Sequence, residues 1–260
     1  MMFVASLLQQ RELKAQILST GDVLGPGAPP SMIGIEVGFG KHQQQGTYGA
    51  SCGCLFQDGT GSGFLGSLVF ELPINYEWVL GIKGGIDFKN TTSTTILNET
   101  AIVNNTATQS DTIASMPISR IGNAKTTYVT LSPFIQYQFF RMGPFLQMGP
   151  TFGLLVANHF TQTRQLLSDQ AIVGGQTFSN LRFVNGTLEE TVDDGPIDNI
   201  SNLRVGLLLS AGYNVVVSER SVFTPMLTYD YPLTSLRSTA ATGWKIGSLY
   251  ASAVLKFLLN

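Results

Sequence analysis

The hydrophobic pattern of this chain has a period of two. Ile33, Ile35, Val37 and Phe39 alternate with Gly34, Glu36 and Gly38, and Trp78, Leu80, Ile82, Ile86 and Phe88 alternate with Gly81, Lys83, Gly85 and Asp87. Such alternation puts successive side chains on opposite faces of a strand. The pattern recurs from Phe64 to Leu72, where Leu65 and Val69 blur it, and again from Val129 to Phe139 and Leu146 to Val156. It returns from Leu203 to Tyr213, Phe223 to Tyr231 and Leu249 to Phe257. These stretches predict eight strands, each about the 9–11 residues that a tilted membrane-spanning strand needs. Between their end residues the apolar rows hold no Lys, Arg, Asp or Glu. A Lys or Arg there would cost roughly 2–4 kcal/mol at a bilayer midplane.

The connections alternate as well. Short turns are expected at Pro73-Ile74-Asn75, Arg141-Met142-Gly143 and Ser218-Glu219-Arg220, and long links at Lys41 to Gly61, Lys89 to Thr127, Thr161 to Ser201 and Pro232 to Gly243. Short turns on one side and long loops on the other are the asymmetry of outer-membrane barrels. The first link is long, so the first strand runs outward; an even count then places both termini in the periplasm. Aromatics gather near strand ends. Tyr76, Trp78, Tyr137, Phe139, Phe140, Tyr213, Phe223 and Phe257 lie toward the short turns, and Phe39, Phe88, Tyr128, Tyr229, Tyr231 and Trp244 toward the long links. Two aromatic girdles have this arrangement.

Composition narrows the class. Charged residues make up 12% of the chain, about half of the roughly 25% usual in soluble domains. The net charge of −2 supplies no basic field for nucleic acid. No uninterrupted apolar run reaches the length of a spanning helix; the richest, Val205 to Val217, is broken by Gly206, Ser210, Gly212 and Asn214. A membrane protein without such helices must be a closed barrel, because lipid cannot satisfy an open sheet edge. Residues 1–30 are expected to be a periplasmic segment or the remnant of a targeting region, with the barrel over 31–260. Met1 to Leu8 is apolar but short, lacks preceding basic residues and runs into Gln9-Gln10-Arg11-Glu12, which makes a poor signal peptide.

Alternation alone does not say which row faces out, since a lipocalin-type soluble carrier turns its apolar row inward around a ligand. Apolar-out is favoured by polar rows made of Gly, Ser, Thr and Gln, by the loop asymmetry, and by both signs of charge on those rows. Glu36, Glu71, Lys83, Asp87, Arg204, Asp230 and Lys256 could pair inside a narrow barrel.

Certain phrases carry a family resemblance: Gly61-Ser-Gly-Phe-Leu-Gly leading to Phe70-Glu-Leu-Pro, Leu203-Arg-Val-Gly through Ala211-Gly-Tyr, and Trp244-Lys-Ile-Gly-Ser-Leu before an alternating last strand. Over roughly Ser31 to Phe257 the chain resembles the bacterial outer-membrane β-barrel domain family, the small barrels akin to the transmembrane part of outer membrane protein A. The resemblance implies an all-β, eight-stranded antiparallel up-and-down transmembrane β-barrel with long extracellular loops and short periplasmic turns. It would be a porin-like architecture of the cell envelope, too narrow for a large pore. A ten-strand variant with an extra loop hairpin stays open. Family members often end in an aromatic residue read by the insertion machinery, whereas Phe257 here is followed by Leu258-Leu259-Asn260. The peptidoglycan-gripping domain of some relatives is not expected after the last strand. Implied partners are outer-membrane lipid, lipopolysaccharide and the barrel-assembly machinery, with an unknown extracellular ligand for the loops.

Candidate chemistry is sparse. The link after Lys89 is rich in Thr, Asn and Ser. The link after Thr161 holds a hairpin-like turn, Val184-Asn185-Gly186-Thr187, and an acidic pair, Asp193-Asp194. Cys52 and Cys54 form a Cys-Gly-Cys phrase, read as loop thiols or a local bridge, since two ligands do not complete a zinc site. A lipid A-modifying enzyme at the outer rim would need a histidine base; only His42 and His159 are available, with Asp198 as a candidate acid. Neither histidine sits in a phrase typical of such enzymes, so no catalytic, cofactor or metal site is assigned. The expected role is structural, adhesive or receptor-like, with the rim enzyme and the soluble carrier as alternatives.

Overall fold

A computed structural model describes residues 30–49, 54–105, 110–140, 142–173, 176–237 and 243–259. The segment expected ahead of the barrel lies, apart from Pro30, outside the described residues. Eight long strands dominate: β1 Met32–Gln45, β2 Thr60–Pro73, β3 Trp78–Asn105, β4 Ser110–Gln138, β5 Pro144–Leu166, β6 Leu203–Tyr213, β7 Ser221–Pro232 and β8 Lys245–Leu258. Each pairs antiparallel with the next, and β1 pairs with β8, so the sheet closes on itself. The ring has eight strands rather than ten; Leu181–Phe183 and Glu189–Gly195 pair with extensions of ring strands, Val215–Ser218 pairs with the start of β7 at the short-turn end, and the remaining short strands form two separate hairpins.

The register sets the barrel's dimensions. From Phe145 the pairing runs to Gly212, Met226, Ser252, Gly38, Leu65, Asp87 and Tyr128, and returns to β5 at Leu155. One circuit therefore climbs ten residues, from 145 to 155. With strands about 4.8 Å apart and about 3.3 Å of rise per residue, that shear tilts the strands by about 40° and gives a backbone diameter of roughly 16 Å. Both values are those of a small spanning barrel.

The short turns at Pro73 to Asn75 and Ser218 to Arg220 form where expected; of the third, Met142 and Gly143 are described and Arg141 lies outside the described residues. Asn75 Oδ1 accepts the backbone N–H of Glu77 at 2.9 Å and of Trp78 at 2.8 Å, and the Ser218 and Ser221 hydroxyls meet at 2.6 Å. Gly143 has φ 145°, a conformation that a residue with a Cβ adopts only under strain.

The outward row is apolar and the inward row polar. Val37 is 62% exposed while its neighbour Glu36 is 2% exposed. Arg204, Gln136, Gln147, Thr224, Thr228 and Lys256 are buried in the same way, opposite exposed Leu131, Leu209, Leu227 and Leu255. This excludes the lipocalin-type arrangement, whose apolar row would line the interior. The outer aromatics form two belts. Trp78 packs on Tyr137 at 4.9 Å near the short turns, and Phe64 stacks on Phe88 at 4.3 Å toward the other end. Trp78 and Phe88 are ten residues apart on β3, about 25 Å of height at this tilt, the thickness of an apolar band. Tyr128 and Trp244 do not join the upper belt as expected; both are 1% exposed and lie inside.

The largest departure from expectation concerns the long links. Residues 89–105 and 110–127 are not a loop: β3 and β4 continue in unbroken register from Lys89↔Thr126 to Asn105↔Ser110. The apolar row stops at Phe88, but Thr, Ile and Val keep the backbone extended and pair across the ladder. β5 likewise continues to Leu166, flanked by Glu189–Gly195, and Leu181–Phe183 adds to the far end of β3. The turn at Val184 to Thr187 forms as expected, with Gly186 at φ 79° and its N–H bonded to Phe183 O at 2.8 Å. Asn105 lies 17 residues beyond Phe88, roughly 55 Å of strand. The result is a tower standing on the barrel.

Candidate functional site

Three layers fill the barrel. Toward the short turns, Val69, Phe134, Phe145, Met226 and Val254 form an apolar floor. At the opposite mouth, Tyr48, Phe56, Tyr128, Phe160, Trp244 and Ile246 form an aromatic plug. Tyr48 and Phe56 come from the small hairpin of Tyr48–Gly49 and Leu55–Phe56, which folds inward; the Tyr48 ring lies 4.9 Å from Phe160 and 4.8 Å from Trp244. Burial pushes the Tyr48 hydroxyl pKa up. Cys54 is buried in this plug and disulfide-bonded, and Cys52 lies outside the described residues.

Buried ion pairs fill the lumen in three groups. Lys89 Nζ is 2.9 Å from Asp87 and 3.0 Å from Asp230, and donates to Ser248 Oγ at 2.6 Å and Tyr250 Oη at 2.8 Å. The Tyr250 hydroxyl donates onward to Asp87 at 2.5 Å, and Arg204 donates to Asp230 at 2.7 Å. Lower down, Lys83 meets Glu36 at 3.0 Å, with Ser67 and Ser252 also donating to that carboxylate. Lys256 meets Glu71 at 2.6 Å, on the short-turn side of Val254 and Val69 in the apolar floor. The seven charges expected to face inward all do so. Lys89, placed in a link by the sequence pattern, is the eighth. With it the charges balance: Lys83, Lys89, Arg204 and Lys256 against Glu36, Glu71, Asp87 and Asp230. Balance is required here, because an unpaired buried charge costs several kcal/mol.

These pairs also close the lumen. A cavity of ≈ 50 Å³ at mid-height is bordered by Glu36, Lys83, Asp87, Asp230 and Tyr250, room for a few waters.

The two histidines are separated. His42 is not in a Gln-rich loop but on β1, facing the lumen, with Nδ1 2.8 Å from Ser248 Oγ and its ring edge-on to Tyr250. His159 is on the outer face of the β5 extension, with Nε2 2.7 Å from Asp194 Oδ1, to which Thr161 also donates at 3.1 Å. Its acid is therefore Asp194, not Asp198, which is exposed elsewhere in the same link. The histidine and Asp194 side chains are 49% and 60% exposed, on an open strand face rather than in a cleft. Among the described residues, no three His, Cys, Asp or Glu side chains converge to hold a metal ion.

A family model, described as outer membrane protein beta-barrel domain, matches residues 31–238. The chain belongs to this family. It is a bacterial outer-membrane β-barrel, and its outward apolar band is the lipid-facing surface. No curated protein matches it. Among solved structures the barrel is similar to Ail, the attachment invasion locus protein of Yersinia pestis, solved with the heparin analogue sucrose octasulfate. That match has 14% identity, covers 88% of this chain and 99% of that one, and has a TM-score of 0.33. It is similar to the N-terminal β-barrel domain of Pseudomonas aeruginosa OprF, with 11% identity, 88% and 97% covered and a TM-score of 0.31. The outer membrane protease OmpT of Escherichia coli matches with 11% identity, 92% and 100% covered and a TM-score of 0.31.

The barrel's second candidate site is the tower. Ala101, Val103, Met116, Ile118, Leu166, Leu181 and Phe183 form a core of their own, separate from the lumen. Arg120 forms a bidentate pair with Glu99, and Arg164 grips Glu190 at 2.6 and 2.9 Å while its guanidinium lies 4.6 Å over the Phe183 ring. Bidentate pairs of this kind fix strand positions. On the outer face Ile96, Ile102, Ile113, Ile172 and Val184 are exposed.

Proposed function

We propose that this barrel is a non-enzymatic display protein that holds the tower outside the cell for adhesion or receptor-like recognition. The short turns and both termini then lie in the periplasm. The observation that carries this reading is the tower's separate apolar core, which makes the extension a rigid platform instead of solvated loops. The lumen supports it by being occupied by mutually neutral ion pairs under an aromatic plug, which leaves no path for a large solute. Insertion by the barrel-assembly machinery, reading the last strand, fits the closed ring.

An epitope tag placed in the turn at Asn185 should be stained by antibody on intact cells, and one placed at Asn75 only after permeabilisation. The reverse staining would overturn the orientation. Purified protein in planar bilayers should show no large steady conductance, and a large open state would overturn the display reading in favour of a pore.

A further inference from the structure

We infer that the tower binds an extended segment of a partner polypeptide by strand addition to the open edge of β3. Strand addition here deepens the display reading above and rests on it only for placing the partner outside the cell. β3 gives alternate residues to its two neighbours. Gln138 N–H donates to Glu77 O at 2.7 Å, and the register with β4 is unbroken. Odd-numbered residues therefore bond to β4, and even-numbered ones turn their N–H and C=O the other way. On that side β2 pairs with β3 up to Thr60↔Thr92 and leaves it at Asp58, where φ is 54°. Leu181–Phe183 rejoins the edge only at Val103. Between them the N–H and C=O of Thr94, Ile96, Asn98 and Thr100 have no partner among the described residues. A groove of ≈ 730 Å³ lies along the lower part of this gap, lined by Leu55, Gln57, Asp58, Thr94 and Ile96.

The two edges of the tower sheet differ. The far edge, Glu189–Gly195, carries Glu189, Glu190, Asp193 and Asp194 and a register shift between Thr191 and Asp193. Charges and a bulge of this kind keep a foreign strand from pairing. From Thr94 to Thr100 there is no Lys, Arg or Pro and no register shift, and the one charge, Glu99, is paired with Arg120. One edge is blunted and the other is left bare.

The gap takes a strand of about seven residues. β2 and Leu181–Phe183 both run antiparallel to β3, and the occupant lies in line with them. Arg182 stands above the gap and Asp58 at its foot. Neither is paired with an opposite charge among the described residues. They suit a segment with an acidic residue at its N-terminal end, uncharged β-branched residues in the middle and a basic residue at its C-terminal end. A second copy in the same membrane does not fit. A twofold axis along the membrane normal would cross two strands tilted by about 40° at about 80°, whereas neighbouring strands differ by roughly 20–25°.

The test is amide hydrogen exchange, read by NMR on the protein in detergent micelles, with the end-blocked synthetic peptide Glu-Thr-Val-Thr-Val-Thr-Lys as probe. Without peptide, the amides of Ile96, Asn98 and Thr100 should exchange fast, and those of Leu97 and Glu99, bonded to β4, slowly. Excess peptide should slow the first set about tenfold or more. Asn98→Pro removes one donor from the edge and none from the β3–β4 ladder. It should weaken the peptide about fivefold, the worth of one net hydrogen bond. The same peptide with proline at its central residue should not bind. Heat-modifiable migration of the variant confirms that it has folded. Edge amides that stay fast at the highest peptide concentration, or equal binding to wild type and Asn98→Pro, would overturn the site. Micelles have no outside, so reversed tag staining would overturn the display reading and leave this result untouched.

Discussion

β3 runs through two environments without changing face. Its odd-numbered residues point inward throughout, yet Lys83, Asp87 and Lys89 line the lumen while Ala101 and Val103 line the tower core. Its even-numbered residues point outward; they are Ile82, Ile86 and Phe88 beside lipid, then mostly Asn and Thr beyond it (Asn90, Thr92, Thr94, Asn98), with Ile96 and Ile102 the apolar exceptions. At mid-height the barrel is polar inside and apolar outside; the tower is apolar inside and carries a mixed, largely Thr and Asn row outside. The backbone ladder is the same in both; the solvent outside dictates which chemistry each row carries. Where lipid takes the apolar row, the interior has to be filled by charges that neutralise one another. Where water returns, the ordinary hydrophobic core returns with it.

That contrast can be broken from either side. The largest effect is expected for Asp230→Ala, which leaves Lys89 and Arg204 buried against a single remaining carboxylate, Asp87. The loss should be about 3–5 kcal/mol, measured by urea unfolding of the barrel in micelles. Phe183→Ala should remove a comparable amount, about 3–5 kcal/mol, but only from the tower. The tower should become protease-sensitive while the barrel keeps its heat-modifiable migration, and joint loss of both would mean that the two cores are one cooperative unit. Val37→Arg, near the midplane of the lipid-facing band, should cost about 2–4 kcal/mol. Thr100→Arg, outward on the same sheet but above the band, should stay within about 0.5 kcal/mol; equal costs at the two positions would mean that lipid does not end near Phe88. The smallest effect is expected for His159→Ala. Its exposed pair with Asp194 should contribute about 0.2–1 kcal/mol, and lipid A profiles of cells carrying the variant should match wild type. An altered profile would revive a rim enzyme.

Legibility followed the same boundary. Within the lipid band the period-two rows predicted every strand of the ring, because lipid tolerates no charge on one face and the signal is therefore strict. Above Phe88 the pattern failed. Thr and Asn on the outer row do not stand out from the small residues of the inner row, so a 28-residue strand read as a polar link. Lys89 and His42 were misplaced for the same reason, each lying on the inward row just past the last apolar outward residue of its strand. A clue was present in the β-branched residues of the stretch from Thr91 to Val103, although propensity without a buried face is weak evidence. Asp194 was passed over as the partner of His159 because proximity across strands depends on register, which the link between them does not encode.

The sequence by itself determined the closed antiparallel barrel, its even strand count, its short turns and the faces of seven of its inward charges. Those features follow from one local rule, alternation against lipid, repeated along the chain. Only the tertiary structure decided the rest: the ten-residue climb of the register, the neutrality of the lumen once Lys89 joins it, the folding of Tyr48 and Phe56 into the mouth, and the tower with its separate core. Each of these depends on which residues from distant strands meet at one height. That is a property of shear and tilt, not of any single strand.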